Sequence, residues 1–431
     1  MYRTVSVVLD EWKKNPYRKP LILQGARQVG KTYSLLDFAR SKYDNVAYFN
    51  FETDPSLSKT FDESLDPDYL IPILSRISSQ TITKERTIMV FDEVQVCERA
   101  LTSLKYFCEK APEYHIAVAG SLLGVAANRK KVSFPVGKVD IVDMYPMDFE
   151  EFLMASGEDS LIADIKRCFL EDAPMPSAMH EAALDYYRRY LVVGRMPECV
   201  DKYRAVKDLV LVRHAQDNIL LGYLNDLRKY NSENEIKKTR LVYDNMTAQL
   251  SKANTRFKYK MLKQGARASE FENAIEWLVL SGIVNRVFKV ENPIKPLENY
   301  RDIDSFKMYF SDVGLLCAKA NVLPEDIIYP TDALDDFKGA LAENYVCCQL
   351  KSNGYASYFW SSKRGAEVDF IIQRQGDVIP VEVKSSDNTR ARSLVVYKRS
   401  YMPEYAIKLS TRNFGMEGST KTVPLYAAFC I

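Results

Sequence analysis

Three groups of residues in this 431-residue chain have the types and spacing to do chemistry. The first is Gly25-Ala26-Arg27-Gln28-Val29-Gly30-Lys31-Thr32, followed by Tyr33. Its two glycines let the backbone curl so that successive N–H groups face one point, and Lys31 adds a cation there. That is a cradle for a triphosphate. In this reading Gly25 through Tyr33 bind ATP, Lys31 reaches the β- and γ-phosphates, and the Thr32 hydroxyl ligates Mg²⁺. The alternative is a glycine-rich strand-to-helix turn that holds nothing.

The second group is Phe91-Asp92-Glu93, two acids at the end of an apolar run. Asp92 is placed to hold the Mg²⁺ shell, and Glu93 to orient and deprotonate the attacking water. Carboxylates at the carboxyl end of a buried strand face the crevice where open α/β sheets bind ligands. Ser121, at the tip of the next apolar run, is a candidate sensor of the γ-phosphate, with a plain helix N-cap as the alternative. A transition-state cation completes such a site. Arg129 is the first candidate and Lys138 the second, and each could equally be a surface charge.

The third group is Asp369, Glu382 and Lys384. If Gln375-Gly376 forms a two-residue turn, the flanking stretches pair as a hairpin and Asp369 falls opposite Glu382, Cβ atoms about 5 Å apart. Glu367 then lies opposite Lys384. Two facing carboxylates repel unless a cation sits between them. The pair therefore reads as a divalent-metal site, with Lys384 stabilising charge on an attacking water or scissile phosphate. Pro380 in the second stretch points to an edge strand or a bulge.

These groups need elements to carry them. Pro20–Gln24 predicts a strand and Thr32–Arg40 a helix, so the glycine loop opens a helix N-terminus. Asn45–Phe51, Thr87–Phe91 and His115–Ala119 predict further strands, and their alternation with helices implies a parallel α/β sheet. Residues 206–330 are mostly helical. A helix over Phe271–Leu278 and a turn followed by a strand within Ser281–Val290 outline a winged helix, with Gly265 at a turn and the basic run Lys252–Arg267 at a DNA-facing helix. A helical lid on the ATPase core is the alternative. From about 331 a helix, Lys338–Lys351, precedes strands at Tyr355–Trp360, Ala366–Gln373 and Val378–Lys384. The domain limits expected are 1–205, 206–330 and 331–431.

Composition narrows the class. At 47% hydrophobic and 27% charged the chain is globular, and it is too long for one core. No run of 18 uncharged apolar residues predicts a membrane span. Eight cysteines without regular spacing suit reduced thiols in a cytoplasmic protein, and three scattered histidines assemble no zinc site. The net charge is only +2, but Lys252–Arg267 holds six basic residues and no acid, and Arg390, Arg392, Lys398 and Arg399 form a second cluster. Such clusters bind phosphates or are simply solvated faces.

Read in order, the Gly25–Thr32 loop, Phe91-Asp92-Glu93-Val94-Gln95, Gly120-Ser121-Leu122-Leu123 and Met144–Phe152 resemble a large family of prokaryotic predicted AAA+ ATPases. Val193-Gly194-Arg195-Met196-Pro197-Glu198 is similar to that family's short Gly/Pro motif. The resemblance implies a P-loop AAA+ core, a winged-helix-like middle, a C-terminal domain of restriction-endonuclease-like fold, and a homo-oligomer, often a hexameric ring. One departure is Lys138, where many members carry an arginine; lysine lacks the planar fork of arginine. Asp369…Glu382-x-Lys384 resembles the catalytic signature of restriction-endonuclease-like nucleases, and Glu343 stands where that fold has an additional acid. The expected function is an ATP- and Mg²⁺-dependent AAA+ ATPase acting on nucleic acid, DNA ahead of RNA, with a metal-dependent nuclease at the C-terminus. A regulatory or chaperone-like switch ATPase with a non-catalytic tail is the competing expectation, and a winged-helix transcription regulator a third.

Overall fold

The computed structural model describes residues 1–121, 134–230, 232–250, 256–329, 334–386 and 392–431. They form two compact units, one of Met1–Tyr145 with Leu280–Gly282, the other of Pro146–Val279 with Ile283–Ile431.

The first unit is built on five parallel strands: β1 (Leu21–Gly25), β2 (Asn45–Asn50), β3 (Thr87–Asp92), β4 (His115–Ser121) and β5 (Asp140–Asp143), in the order β2-β3-β4-β1-β5. Every residue of β3 is buried, which is why its sequence is a continuous apolar run rather than an alternating one. Phe49, Phe51, Phe61 and Phe91 meet edge-on or tilted at 5.6–5.8 Å in the core on one side of this sheet. Two of this unit's helices begin at an aspartate cap. Asp54 accepts from the Ser56 N–H before the helix Pro55–Glu63, and Asp66 accepts from the Asp68 N–H before Pro67–Ser78.

The second unit opens with helices, among them Phe149–Ser156, Ser177–Val193, Pro197–Val206, Leu209–Tyr230 and Glu233–Leu250. The first has a full capping box: Asp148 accepts from the Glu151 N–H at 2.8 Å and Glu151 accepts from the Asp148 N–H at 3.3 Å. After the helix Ala268–Leu280 comes a mixed sheet of eight strands: β6 (Val284–Val290), β7 (Arg301–Phe310), β8 (Tyr358–Ser361), β9 (Glu367–Arg374), β10 (Asp377–Val383), β11 (Ala406–Ser410), β12 (Gly415–Glu417) and β13 (Thr420–Pro424). Their order is β12-β13-β11-β10-β9-β8-β6-β7, and the helix Asp335–Ser352 precedes β8.

The middle stretch and the C-terminal stretch share one compact unit, because β6 pairs with β8 and joins the C-terminal sheet. Two expectations change here. A DNA-facing helix does not form in the described part of the basic run. Residues 256–267 hold only the short turn Tyr259–Met261, since Gln249 exchanges hydrogen bonds with the Lys258 backbone and the Phe257 N–H donates to the Phe306 carbonyl. Gly265, at φ +76°, does sit at a turn. Lastly, Pro380 lies within the sheet, on a strand flanked by β9 and β11. Bonded pairs alternate from the hairpin's closing pair Arg374/Asp377, so Pro380, opposite Ile371, falls where no N–H is owed to β9; the β11 pairing starts only at Val381.

The Gly/Pro motif is a brace inside this unit. Arg195 is fully buried, and its guanidinium donates to the carbonyls of Pro146, Met147 and Ser311 and to the Ser352 hydroxyl at 2.6–3.1 Å. A Cβ at Gly194 would lie 2.5 Å from Asp312 Oδ1 and 2.9 Å from the Gly314 Cα, so only glycine fits beside that arginine.

Candidate functional site

The nucleotide-binding candidate lies at the carboxyl ends of β1 and β3. Gly25 has φ +152°, and a Cβ there would stand 2.1 Å from the Met144 carbonyl oxygen. Gly30, at φ +93°, caps the helix Lys31–Lys42, and Gln28 between them is also left-handed. The loop thus turns back on itself and delivers its N–H groups to a helix N-terminus. Arg3 holds the loop from behind, donating to the carbonyls of Val29 at 2.6 Å and Tyr145 at 2.8 Å.

Lys31 is buried, and its ammonium group donates to the carbonyls of Gly25 at 3.1 Å and Ala26 at 2.7 Å. Burial pulls its pKa down to about 8, against the pull of Glu93 and Asp92. The Thr32 hydroxyl lies 3.0 Å from both oxygens of Asp92, and the Tyr48 hydroxyl donates to the same carboxylate at 2.8 Å. Burial and that contact push the Tyr48 pKa up to about 12. Glu93 has a left-handed backbone, its N–H donates to Asp92 Oδ1, and its carboxylate accepts from Gln95. Tyr33 is exposed, with the chain's N-terminal amine 3.3 Å from its hydroxyl. Ser121 pairs through its backbone with Gly25 on the neighbouring strand. Its side chain, Leu122, Leu123 and Arg129 lie outside the described residues. Lys138 makes a surface ion pair with Glu109 at 3.0 Å. Sequence reasoning did not anticipate Arg3, Tyr48 or Met144. Only their place in space connects them to the loop.

The second candidate lies wholly in the other unit. Gln375 and Gly376 both have positive φ, the signature of a type I′ turn, and the register runs from Arg374/Asp377 to Phe370/Val381. One step further along that register stand Asp369 and Glu382. Asp369 Oδ2 accepts from the Val383 N–H at 2.8 Å, and Lys384 bonds Glu382 Oε1 at 2.7 Å. Glu382 is buried, and its Oε2 has no hydrogen-bond partner. Glu343, on the helix Asp335–Ser352, accepts from the Tyr309 hydroxyl at 3.0 Å. The residue that sequence reasoning missed is Lys307 on β7. Its ammonium group lies 2.8 Å from Glu367 Oε1 and 3.5 Å from Glu343 Oε2. Arg256 reaches the other oxygen of Glu367 at 3.0 Å.

Burial, with Glu343 and Glu382 nearby, raises the Asp369 pKa well above its ordinary value. Burial likewise raises Glu382, against the pull of Lys384. Burial also lowers Lys307, but Glu343, Glu367 and Asp369 outweigh it, and the net shift is upward. Among the described residues no group of three or more His, Cys, Asp or Glu side chains is arranged to hold a metal ion. What remains is the two-carboxylate pair Asp369/Glu382, and the unpartnered, buried Glu382 Oε2 is the kind of hard oxygen that Mg²⁺ or Mn²⁺ takes.

Residues 17–153 match the family model of an AAA domain. The chain therefore carries a parallel-sheet P-loop AAA+ domain. Beyond this AAA+ domain, residues 184–326 and 338–428 match two domains of unknown function, DUF8612 and DUF4143. No curated protein matches the chain. Among solved structures, the Walker-type ATPase PABY2304 of Pyrococcus abyssi is similar at 15% identity over 73% of this chain and 94% of that one, with a TM-score of 0.44. The ORC2 protein of Aeropyrum pernix is similar at 11% identity over 74% and 94%, with a TM-score of 0.37. The RuvB Holliday junction branch migration motor of Thermotoga maritima is similar at 14% identity over 66% and 87%, with a TM-score of 0.29. Overlaps this loose carry no functional argument. Among the described residues no helix is long and apolar enough to cross a membrane.

Proposed function

We propose that the chain is an AAA+ ATPase that binds and hydrolyses ATP with Mg²⁺ and acts on nucleic acid through its second unit. The observation that carries the ATPase reading is the contact of the Thr32 hydroxyl with Asp92 beside the buried Lys31. A hydroxyl and a carboxylate are hard oxygen donors and fit Mg²⁺, which when bound would neutralise charge on the β- and γ-phosphates. Lys31 exchanges its loop carbonyls for phosphate oxygens. The loop N–H groups hold the phosphates in place, and Glu93 positions and deprotonates the attacking water. Measured ATP turnover should require Mg²⁺ and fall about 10²–10⁴-fold in Glu93→Gln, with ATP affinity retained. Turnover that survives this substitution would remove Glu93 from the role.

For the second unit we read the three helices before β6, with the β6–β7 pair, as a winged-helix-like element, and the Asp369/Glu382/Lys384 hairpin as restriction-endonuclease-like. In that reading Asp369 and Glu382 hold a divalent cation and Lys384 steadies the scissile phosphate. The homo-oligomer, its trans-acting cation and preference for DNA belong to the same proposal. A second reading has its own support: Lys307, Lys384 and Arg256 already neutralise much of the carboxylate cluster, which favours a binding module that does not cut. Incubation of duplex and single-stranded substrates with Mn²⁺ separates the two, cleavage lost in Asp369→Asn supporting the first. Affinity for DNA that falls steeply with salt, without cleavage, supports the second. No binding even at low salt rejects nucleic acid altogether.

A further inference from the structure

Lys307 sits in the carboxylate site without belonging to the motif that announces that site. It comes from β7, far from β9 and β10 in sequence, and its side chain is 1% exposed. The chain reaches this position through defined backbone contacts: Lys307 pairs with Val287 on β6 and bridges to Arg256 on its other side. The Phe359 ring closes off the ammonium group at 5.2 Å, and Tyr309, two residues along the same strand face, donates to Glu343. The ammonium group stands between Glu367 and Glu343, within 3.5 Å of each. Glu343, whose charge acts on both Asp369 and Glu382, and Glu367, two residues before Asp369 on β9, are the further carboxylates a divalent cation there could recruit.

We propose that Lys307 is a built-in counter-ion that holds Glu343 and Glu367 out of a metal's coordination shell and so sets the divalent-cation affinity of the Asp369/Glu382 site. It rests on reading that pair as a cation site. The contrast with the other half of the cluster supports it. Glu382 keeps one buried oxygen without a partner, whereas both oxygens of Glu367 and at least one of Glu343 are engaged by Lys307, Arg256 or Tyr309. Ligand charge count tunes divalent-cation affinity over orders of magnitude, so the lysine is a lever on it.

The test is Mn²⁺ binding to the full chain by calorimetry, with Asp369→Asn as the blank that separates this site from the P-loop. Lys307→Met should bind Mn²⁺ at least about tenfold more tightly than the unmodified protein, and Lys307→Arg should behave as the unmodified protein does. Removing the lysine leaves Glu343 with only the Tyr309 hydroxyl and Glu367 with only Arg256, so a second variant, Lys307→Met with Glu367→Gln, keeps the charge balanced and frees Glu343. It too should gain affinity. Unchanged or weaker binding in both variants overturns the inference. Binding to the unmodified protein that Asp369→Asn leaves intact sinks the metal reading of the site instead, a result distinct from the failure of Lys307 to matter.

Discussion

Two buried lysines show how differently the two units are built. Lys31 and Lys307 are both almost fully enclosed, yet burial wins at Lys31 and lowers its pKa, while neighbouring carboxylates win at Lys307 and raise it. Lys31 faces the loop carbonyls of Gly25 and Ala26, and in the proposed function it meets an anion from outside. Lys307 already has its anions within the fold. A binding site keeps a charge partly unsatisfied so that a ligand can satisfy it, whereas a counter-ion spends that attraction internally. The first site is also made mostly of backbone from one continuous stretch. The second is made of side chains drawn from β7, the helix Asp335–Ser352 and the β9–β10 hairpin.

Exchanging each lysine for methionine tests this contrast most severely. Lys307→Met should lower stability by about 3–5 kcal/mol, because Glu343 and Glu367 lose a buried partner; chemical denaturation would show it. Lys31→Met should melt close to the parent temperature, yet lose ATP turnover by about 100-fold or more. Equal stability losses for the two would erase the distinction. Next in size is Gly25→Ala, aimed at the backbone character of the first site. The clash with the Met144 carbonyl and the left-handed φ should cost about 1–3 kcal/mol and weaken ATP binding, whereas Gly376→Ala, which meets no atom within 4 Å, should leave ATP binding unchanged.

The smallest effect is a proton. Lys31 has a folded pKa near 8 against an ordinary 10.5, so between those values the unfolded chain binds more protons than the folded one. Its contribution to the stability of the nucleotide-free protein therefore rises with pH across that window. ATP needs Lys31 charged, so binding near pH 9 should take up a fraction of a proton, and affinity should fall as pH climbs above 8. Calorimetry in two buffers of different ionisation enthalpy measures the uptake. Its absence would place Lys31 in an ordinary, hydrated setting.

Legibility followed sequence distance. The glycine loop, the Asp92/Glu93 strand end and the Gln375-Gly376 turn are each set by a few adjacent residues, and the hairpin register from Arg374/Asp377 to Phe370/Val381 follows from a two-residue turn and the period of two. Short-range sterics fix all of these. Arg3, Tyr48 and Lys307 left no local signal, since a lone arginine or lysine near an apolar run reads as surface charge. The basic run before Ala268 misled for the same reason: its composition suits a helix, but the Phe257 and Lys258 backbone is claimed by Phe306 and Gln249.

The sequence by itself determined that a glycine loop opens a helix after β1, because a left-handed glycine and a helix start are properties of the local backbone. It likewise determined the two-residue turn and the register of the β9–β10 hairpin. Only the tertiary structure decided how charged Asp369 and Glu382 are and what stands beside them. Burial and long-range charge depend on atoms that meet after the chain has folded, which is how β7 delivers Lys307 to Glu343 and Glu367, and how burial prevails at one buried lysine while carboxylates prevail at the other.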